Sequence, residues 1–129
     1  MSRGRRSGAG GGAKGPSQRQ LRMGELLRHV LSEIMARGEF RDPTLTGASI
    51  TVTEVRPSPD LKNATVFVTP LGGTDVNAVV EGLQRARGYL RAQIAGKIEA
   101  KFIPELTFKP DTSFAEAQRI EALLAKERG

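Results

Sequence analysis

Apolar residues recur at three- and four-residue steps from Leu21 to Met35, through Met23, Leu27, Val30, Leu31 and Ile34, just after Ser17 and Gln20 at capping-box spacing. This predicts a first helix that stops near Gly38, with Arg19, Arg22 and Arg28 off the apolar stripe. From Ala48 to Val55 the β-branched Ile50, Thr51, Val52, Thr53 and Val55 predict a strand, ended by Arg56-Pro57-Ser58-Pro59-Asp60. Alternation over Ala64 to Thr69 sets Ala64, Val66 and Val68 on one face and Thr65, Phe67 and Thr69 on the other. It predicts a second strand, antiparallel to the first across the proline-rich turn and closed by Gly72-Gly73.

Thr74 and Asp75 supply N-cap chemistry for a helical stretch of roughly 25 residues, with Val76, Val79, Val80, Leu83, Leu90, Ile94 and Ile98 as its apolar positions. At 100° per residue, Arg87 falls about 25° from the centre of that apolar face. Either a straight helix lets Arg87 snorkel, or the helix breaks near Ala86-Arg87-Gly88 and Arg87 reaches solvent. The break costs less, because Gly88 is already about 1 kcal/mol poorer than alanine in a helix interior. Arg87 and Arg91 then stand one turn apart at the mouth of two short helices, where one phosphate strand could bridge both, with Arg85, Lys97 and Lys101 nearby. Pro104 to Pro110 alternates between bracketing prolines and predicts a third strand at or near an edge. Ser113 to Leu124 resumes helical spacing through Phe114, Ala117, Ile120, Leu123 and Leu124, which predicts a packed final helix. The order is helix, strand, strand, broken helix, strand, helix: an α+β domain with a small three-stranded sheet against helices.

Composition narrows the chemistry. The 129 residues include 20 Lys and Arg against 14 Asp and Glu, a net charge of +6, and 38% hydrophobic residues, which suits one folded basic domain. Residues 1–16 hold Arg3, Arg5, Arg6 and Lys14 with no acid, so the remaining 113 residues carry 16 cations against 14 acids. With six glycines and nothing large to bury, 1–16 is expected to be a flexible arm: a nucleic-acid arm, a passive extension or, less well supported by its glycines, a transit peptide. The domain is expected over 17–125, with 126–129 as a short C-terminal tail. No cysteine is present and His29 is the only histidine, which excludes disulfides, zinc ribbons and thiol nucleophiles. His29 is expected to be a partly buried structural residue. Asp42, Glu54, Asp60 and Asp111 sit where turn formers and caps sit, and no two share an element, so no metal, cofactor or catalytic carboxylate pair is expected. No apolar run is long enough to span a membrane or to act as a secretory signal, so a soluble cytoplasmic protein is expected, and separately a monomer. Of six aromatic residues, Phe67, Phe102, Phe108 and Phe114 are needed for packing, and only Tyr89 stands as a candidate exposed ring.

The order of elements matches the K-homology fold in its helix-first form, and several short pieces sharpen the match. These are Asp42-Pro43 after helix 1, Thr51-Val52-Thr53 with Val55, Asp60-Leu61, Ala64 with Val66 and Val68, Ala86-x-Gly88 followed by Leu90-Arg91, and Pro104-Glu105-Leu106-x-Phe108 with Asp111. Over roughly residues 17–125 the chain resembles the ribosome-binding factor A family of small-subunit assembly factors. In that family an Ala-x-Gly kink, here Ala86 and Gly88, replaces the GxxG loop that clamps single strands in ordinary K-homology domains. The resemblance implies docking on the 16S rRNA of the free 30S subunit during late maturation and rRNA processing. It also implies joint action with maturation GTPases and relevance to cold shock.

The expected RNA-binding residues are Arg85, Arg87, Tyr89, Arg91, Lys97 and Lys101 around the kink, with Arg19, Arg22 and Arg28 on helix 1. Two rival readings belong to other classes. A structural ribosomal or nucleoid-associated protein would associate permanently rather than transiently, and a small hydrolase or transferase would need the paired acids that the sequence lacks.

Overall fold

The computed structural model describes residues 15–72, 75–99 and 103–128. Helix α1 (Gln18–Arg37) opens on the expected capping box: the Gln20 N–H donates to Ser17 Oγ at 3.2 Å, and the Ser17 N–H donates to Gln20 Oε1 at 2.8 Å. Its end is set by Gly38, whose φ of 64° lies in the left-handed region that a side chain resists. Leu27, Val30, Leu31, Ile34 and Met35 are buried, whereas Leu21, in the first turn, is exposed. His29 is exposed, not partly buried, because it lies off the buried face of α1.

Strands β1 (Ser49–Pro57) and β2 (Asn63–Leu71) pair antiparallel, and β3 (Glu105–Pro110) pairs parallel to β2. The sheet order is β1-β2-β3, which puts β3 at an edge as expected. β1 runs on through Arg56 and Pro57, past the expected end, because Pro57 sits on the other edge strand, where a missing N–H costs little. Val52 pairs with Val68 and Glu54 with Phe67, leaving Thr53 as an extra residue. This bulge reverses the alternation, so Ile50, Val52, Val55 and Pro57 all bury the same face. Simple period-two reading would have turned Val55 outward.

Asp75 caps α2 (Val76–Arg85), accepting from the Asn77 N–H at 2.9 Å; Thr74 lies outside the described residues. α2 ends at Ala86, and α3 (Arg87–Ala95) begins directly after it, so the broken-helix expectation holds. α3 stops short of Ile98, which still packs against the core from the turn that follows. α1 lies across β1, α2 and α3 cover β3, and α1 touches α3, so Leu27, Leu31, Val66, Leu83, Leu90, Ile94 and Leu106 form one core on one face of the sheet.

Two glycines let elements approach closely. A Cβ on Gly24 would lie 2.6 Å from the Val55 carbonyl oxygen and 3.3 Å from Pro57 Cδ, so α1 sits directly on β1 there. A Cβ on Gly82 would lie 3.0 Å from Leu45 Cδ2.

The last helix departs from expectation. α4 runs from Ser113 to Arg128, so no break in structure marks residue 125. Ile120, Leu123 and Leu124, expected to pack, are about half exposed, because α4 has no extensive contact with another element among the described residues. Residues 1–14, which hold the arm's four cations, lie outside the described residues.

Candidate nucleic-acid interface

The kink is centred on Ala86. Its φ and ψ of −90° and 7° leave the helical well, its N–H donates to the carbonyls of Gly82 and Leu83 at 3.0 and 3.1 Å, and its carbonyl accepts the Leu90 N–H that starts α3. Gly88 has no positive φ, and a Cβ there would meet nothing within 4 Å. The break therefore does not need a glycine. Gly88→Ala is expected to keep the kink and to stabilise the fold by up to about 1 kcal/mol in thermal melts, where a conformational requirement would give a loss.

Arg87 is exposed, as the break predicts, and donates from one guanidinium nitrogen to the Gln84 carbonyl at 3.0 Å. Its neighbour one turn on behaves differently. Arg91 donates to the Ile103 carbonyl at 2.8 Å and pairs with Glu105 at 3.3 Å, tying α3 to the start of β3. Its Nε is buried without a partner among the described residues. The structure thus does not present Arg87 and Arg91 as a matched pair on one phosphate strand.

Arg85 donates to Asp42 Oδ2 at 2.9 Å and toward Thr44 Oγ1 at 3.4 Å, joining α2 to the loop that follows α1. The Arg85 hydrogen bond and the Thr44 N–H hold the Asp42 carboxyl below the usual carboxylate range. Lys97 reaches Glu33 on α1 at a long 3.9 Å. Arg28 makes a two-pronged pair with Glu25 at 3.0 and 3.1 Å, which lowers the Glu25 pKa. Lys101 lies outside the described residues. Arg19 and Arg22 are exposed and form no ion pair among the described residues.

Tyr89 donates from its hydroxyl to the Glu39 carbonyl at 3.0 Å and meets Phe40 edge to face, with centroids 6.1 Å apart. These contacts place the loop after α1 against the kink. Arg19 and Arg22 are at the opposite end of α1, roughly 25–30 Å away at 1.5 Å per helical residue. Arg19 and Arg22 therefore lie at one pole and the kink cations at the other, with Arg28 between them along α1. The role of Phe40 and Arg41 beside Tyr89 was not read from the sequence; the Arg41-Asp42-Pro43 run after the helix stop was the available signal.

The four carboxylates singled out in the sequence close local structure. Asp42 accepts from the Thr44 N–H, Asp60 from Ser58 and Lys62, and Asp111 from Ser113, while Glu54 pairs with Arg56, whose guanidinium lies 4.9 Å over the Phe67 ring. Among the described residues no group of three or more acidic, histidine or cysteine side chains is placed to hold a metal, and no helix is long and apolar enough to cross a membrane.

Comparison with known proteins extends the likeness across the whole folded body. Residues 19–124 match the family model described as ribosome-binding factor A. The ribosome-binding factor A of Paramagnetospirillum magneticum is 58% identical over 113 residues, spanning 88% of this chain and 80% of its own. That of Afipia carboxidovorans is 52% identical over 124 residues, spanning 96% and 88%. The crystal structure of ribosome-binding factor A from Thermus thermophilus superposes with a TM-score of 0.61 at 26% identity, covering 70% of this chain and 93% of that one. A Thermus thermophilus homology model fitted into the cryo-EM map of a 30S complex gives a TM-score of 0.57 at 27% identity, covering 69% and 91%. The Ala86 kink, the sheet order and the extent of this match lead to one assignment: the chain belongs to the ribosome-binding factor A family.

Proposed function

We propose that this protein binds the free small ribosomal subunit and its 16S rRNA during late maturation, and leaves before translation. The observation that carries this reading is the family match over residues 19–124, supported by the Thermus thermophilus relative that was fitted into a 30S complex. It acts by binding, as a cytoplasmic monomer that catalyses no reaction itself, in concert with maturation GTPases and with added importance in the cold.

On this reading the cations divide by task. Arg19 and Arg22 at one pole and Arg87 at the other are exposed and form no ion pair among the described residues, and they neutralise phosphates. Arg85, Arg91 and Lys97 tie α2, α3 and the turn after α3 to the loop after α1, to the start of β3 and to α1 through their acidic or carbonyl partners, Arg28 pairs with Glu25 within α1, and all four contribute charge to the surface. Two poles separated by most of the length of α1 suit an extended, structured RNA surface read by shape rather than a short single strand. Open space over Gly88 lets an RNA backbone approach the first turn of α3 closely.

Binding of the purified chain to free small and large subunits tests the assignment. Selective binding to the small subunit is expected, and equal binding to both would count against it. Deleting residues 1–16 is expected to leave folding unchanged and to lower the log–log salt slope of binding by at most about 3.6, the value for four duplex phosphate contacts. An unchanged slope would make the arm a passive extension.

A further inference from the structure

We infer that the hollow between the loop after α1 and the α2–α3 kink receives one unpaired nucleobase of the subunit RNA, an inference that rests on the RNA-binding reading above. The hollow has a volume of about 530 Å³ and is lined by Glu39, Phe40, Arg41, Asp42, Arg85, Ala86 and Tyr89. Its size falls in the range of small-ligand sites. Phe40, Ala86 and Tyr89 give it apolar and aromatic surface, and Tyr89 is 39% exposed while its hydroxyl is fixed to the Glu39 carbonyl. The ring is therefore oriented before any ligand arrives, which spares the ordering cost of capture.

The polar groups favour a base over a phosphate. Phosphate oxygens only accept hydrogen bonds, and a phosphate site presents donors. Here the ion pair of Arg85 and Asp42 sets a guanidinium donor beside a carboxylate acceptor at 2.9 Å. A base edge carries both donors and acceptors, and its faces stack on an aromatic ring or a guanidinium plane.

Tyr89 is the only tyrosine and the chain has no tryptophan, so one label reports on this hollow alone. The full chain is made with 3-fluorotyrosine, and its fluorine NMR signal is followed on adding three probes of about ten nucleotides. These are a mixed-sequence single-stranded RNA, the same strand annealed into a duplex, and an abasic strand that keeps every phosphate. A shift with the single strand, absent with the other two, is the expected result. An equal shift from the abasic strand, or none from a single strand that independent anisotropy shows to be bound, would overturn the inference.

A second arm uses free small subunits with the Tyr89→Phe and Tyr89→Leu variants. Tyr89→Phe keeps the ring but loses the hydroxyl bond to the Glu39 carbonyl, and is expected to weaken binding less than Tyr89→Leu does. Tyr89→Leu is expected to bind about 5- to 150-fold more weakly, the equivalent of the ~1–3 kcal/mol of a base–aromatic stack, with an unchanged salt slope because no phosphate contact is lost. A folded Tyr89→Leu variant of native affinity would overturn the inference. If the parent responds to the single strand but does not bind small subunits, the assignment to the subunit fails while the base receptor stands.

Discussion

Reversing Arg19, Arg22 and Arg87 together to glutamate is expected to weaken binding to free small subunits by roughly 3–5 kcal/mol at low salt, without loss of folding. These three side chains are exposed, and none forms an ion pair within the described protein. If each contacts a phosphate as proposed, its reversal removes that contact and adds a repulsion, so the log–log salt slope should fall by up to about 2.7 on duplex RNA. Arg91 serves as the contrast, since its guanidinium satisfies the Ile103 carbonyl and pairs with Glu105. Arg91→Glu is expected to destabilise the fold by about 1.5–3 kcal/mol, the range for hydrogen bonds to charged groups, and to lose binding only through that instability. Subunit binding across a salt series, with melts of the same samples, separates the two outcomes. A folded triple variant of native affinity would remove these cations from the interface.

Gly24→Val is expected to be the most damaging single substitution in the body. In an ordinary helix interior a glycine-to-alanine change gains about 1 kcal/mol. At Gly24 the first added carbon already falls 2.6 Å from the Val55 carbonyl oxygen, a backbone atom held in the β1 ladder. Alanine should therefore cost about 1–3 kcal/mol and valine more, through displacement of α1 from the sheet. Thermal melts check the sign: a melting temperature unchanged or raised by alanine would show that α1 and β1 are not locked at this distance.

Local patterns made much of this fold legible. Ser17 and Gln20 mark the start of α1, Gly38 its end, and Arg87 on an apolar face betrays the kink, because each signal lies within one or two helical turns of the feature it sets. What escaped depends on partners distant in sequence. The engagement of Arg91 requires the Ile103 carbonyl and Glu105, and that of Arg85 requires Asp42, 43 residues away. The bulge at Thr53 follows from the need to bury Val52 and Val55 on one face, which a single strand does not disclose. The apolar residues of α4 are spaced as a packing helix would be, yet spacing alone does not say whether the chain supplies the other surface. Gly88 misleads at closer range, since the helix breaks beside it at Ala86 while the glycine itself keeps no unusual φ.

Transient association with the maturing small subunit is tested most directly by the distribution of the protein across a sucrose gradient of cell lysate. The protein is expected in the fractions of free small subunits and immature particles and is expected to be absent from polysomes. Equal abundance on polysomes would contradict transient association and favour a permanent ribosomal component.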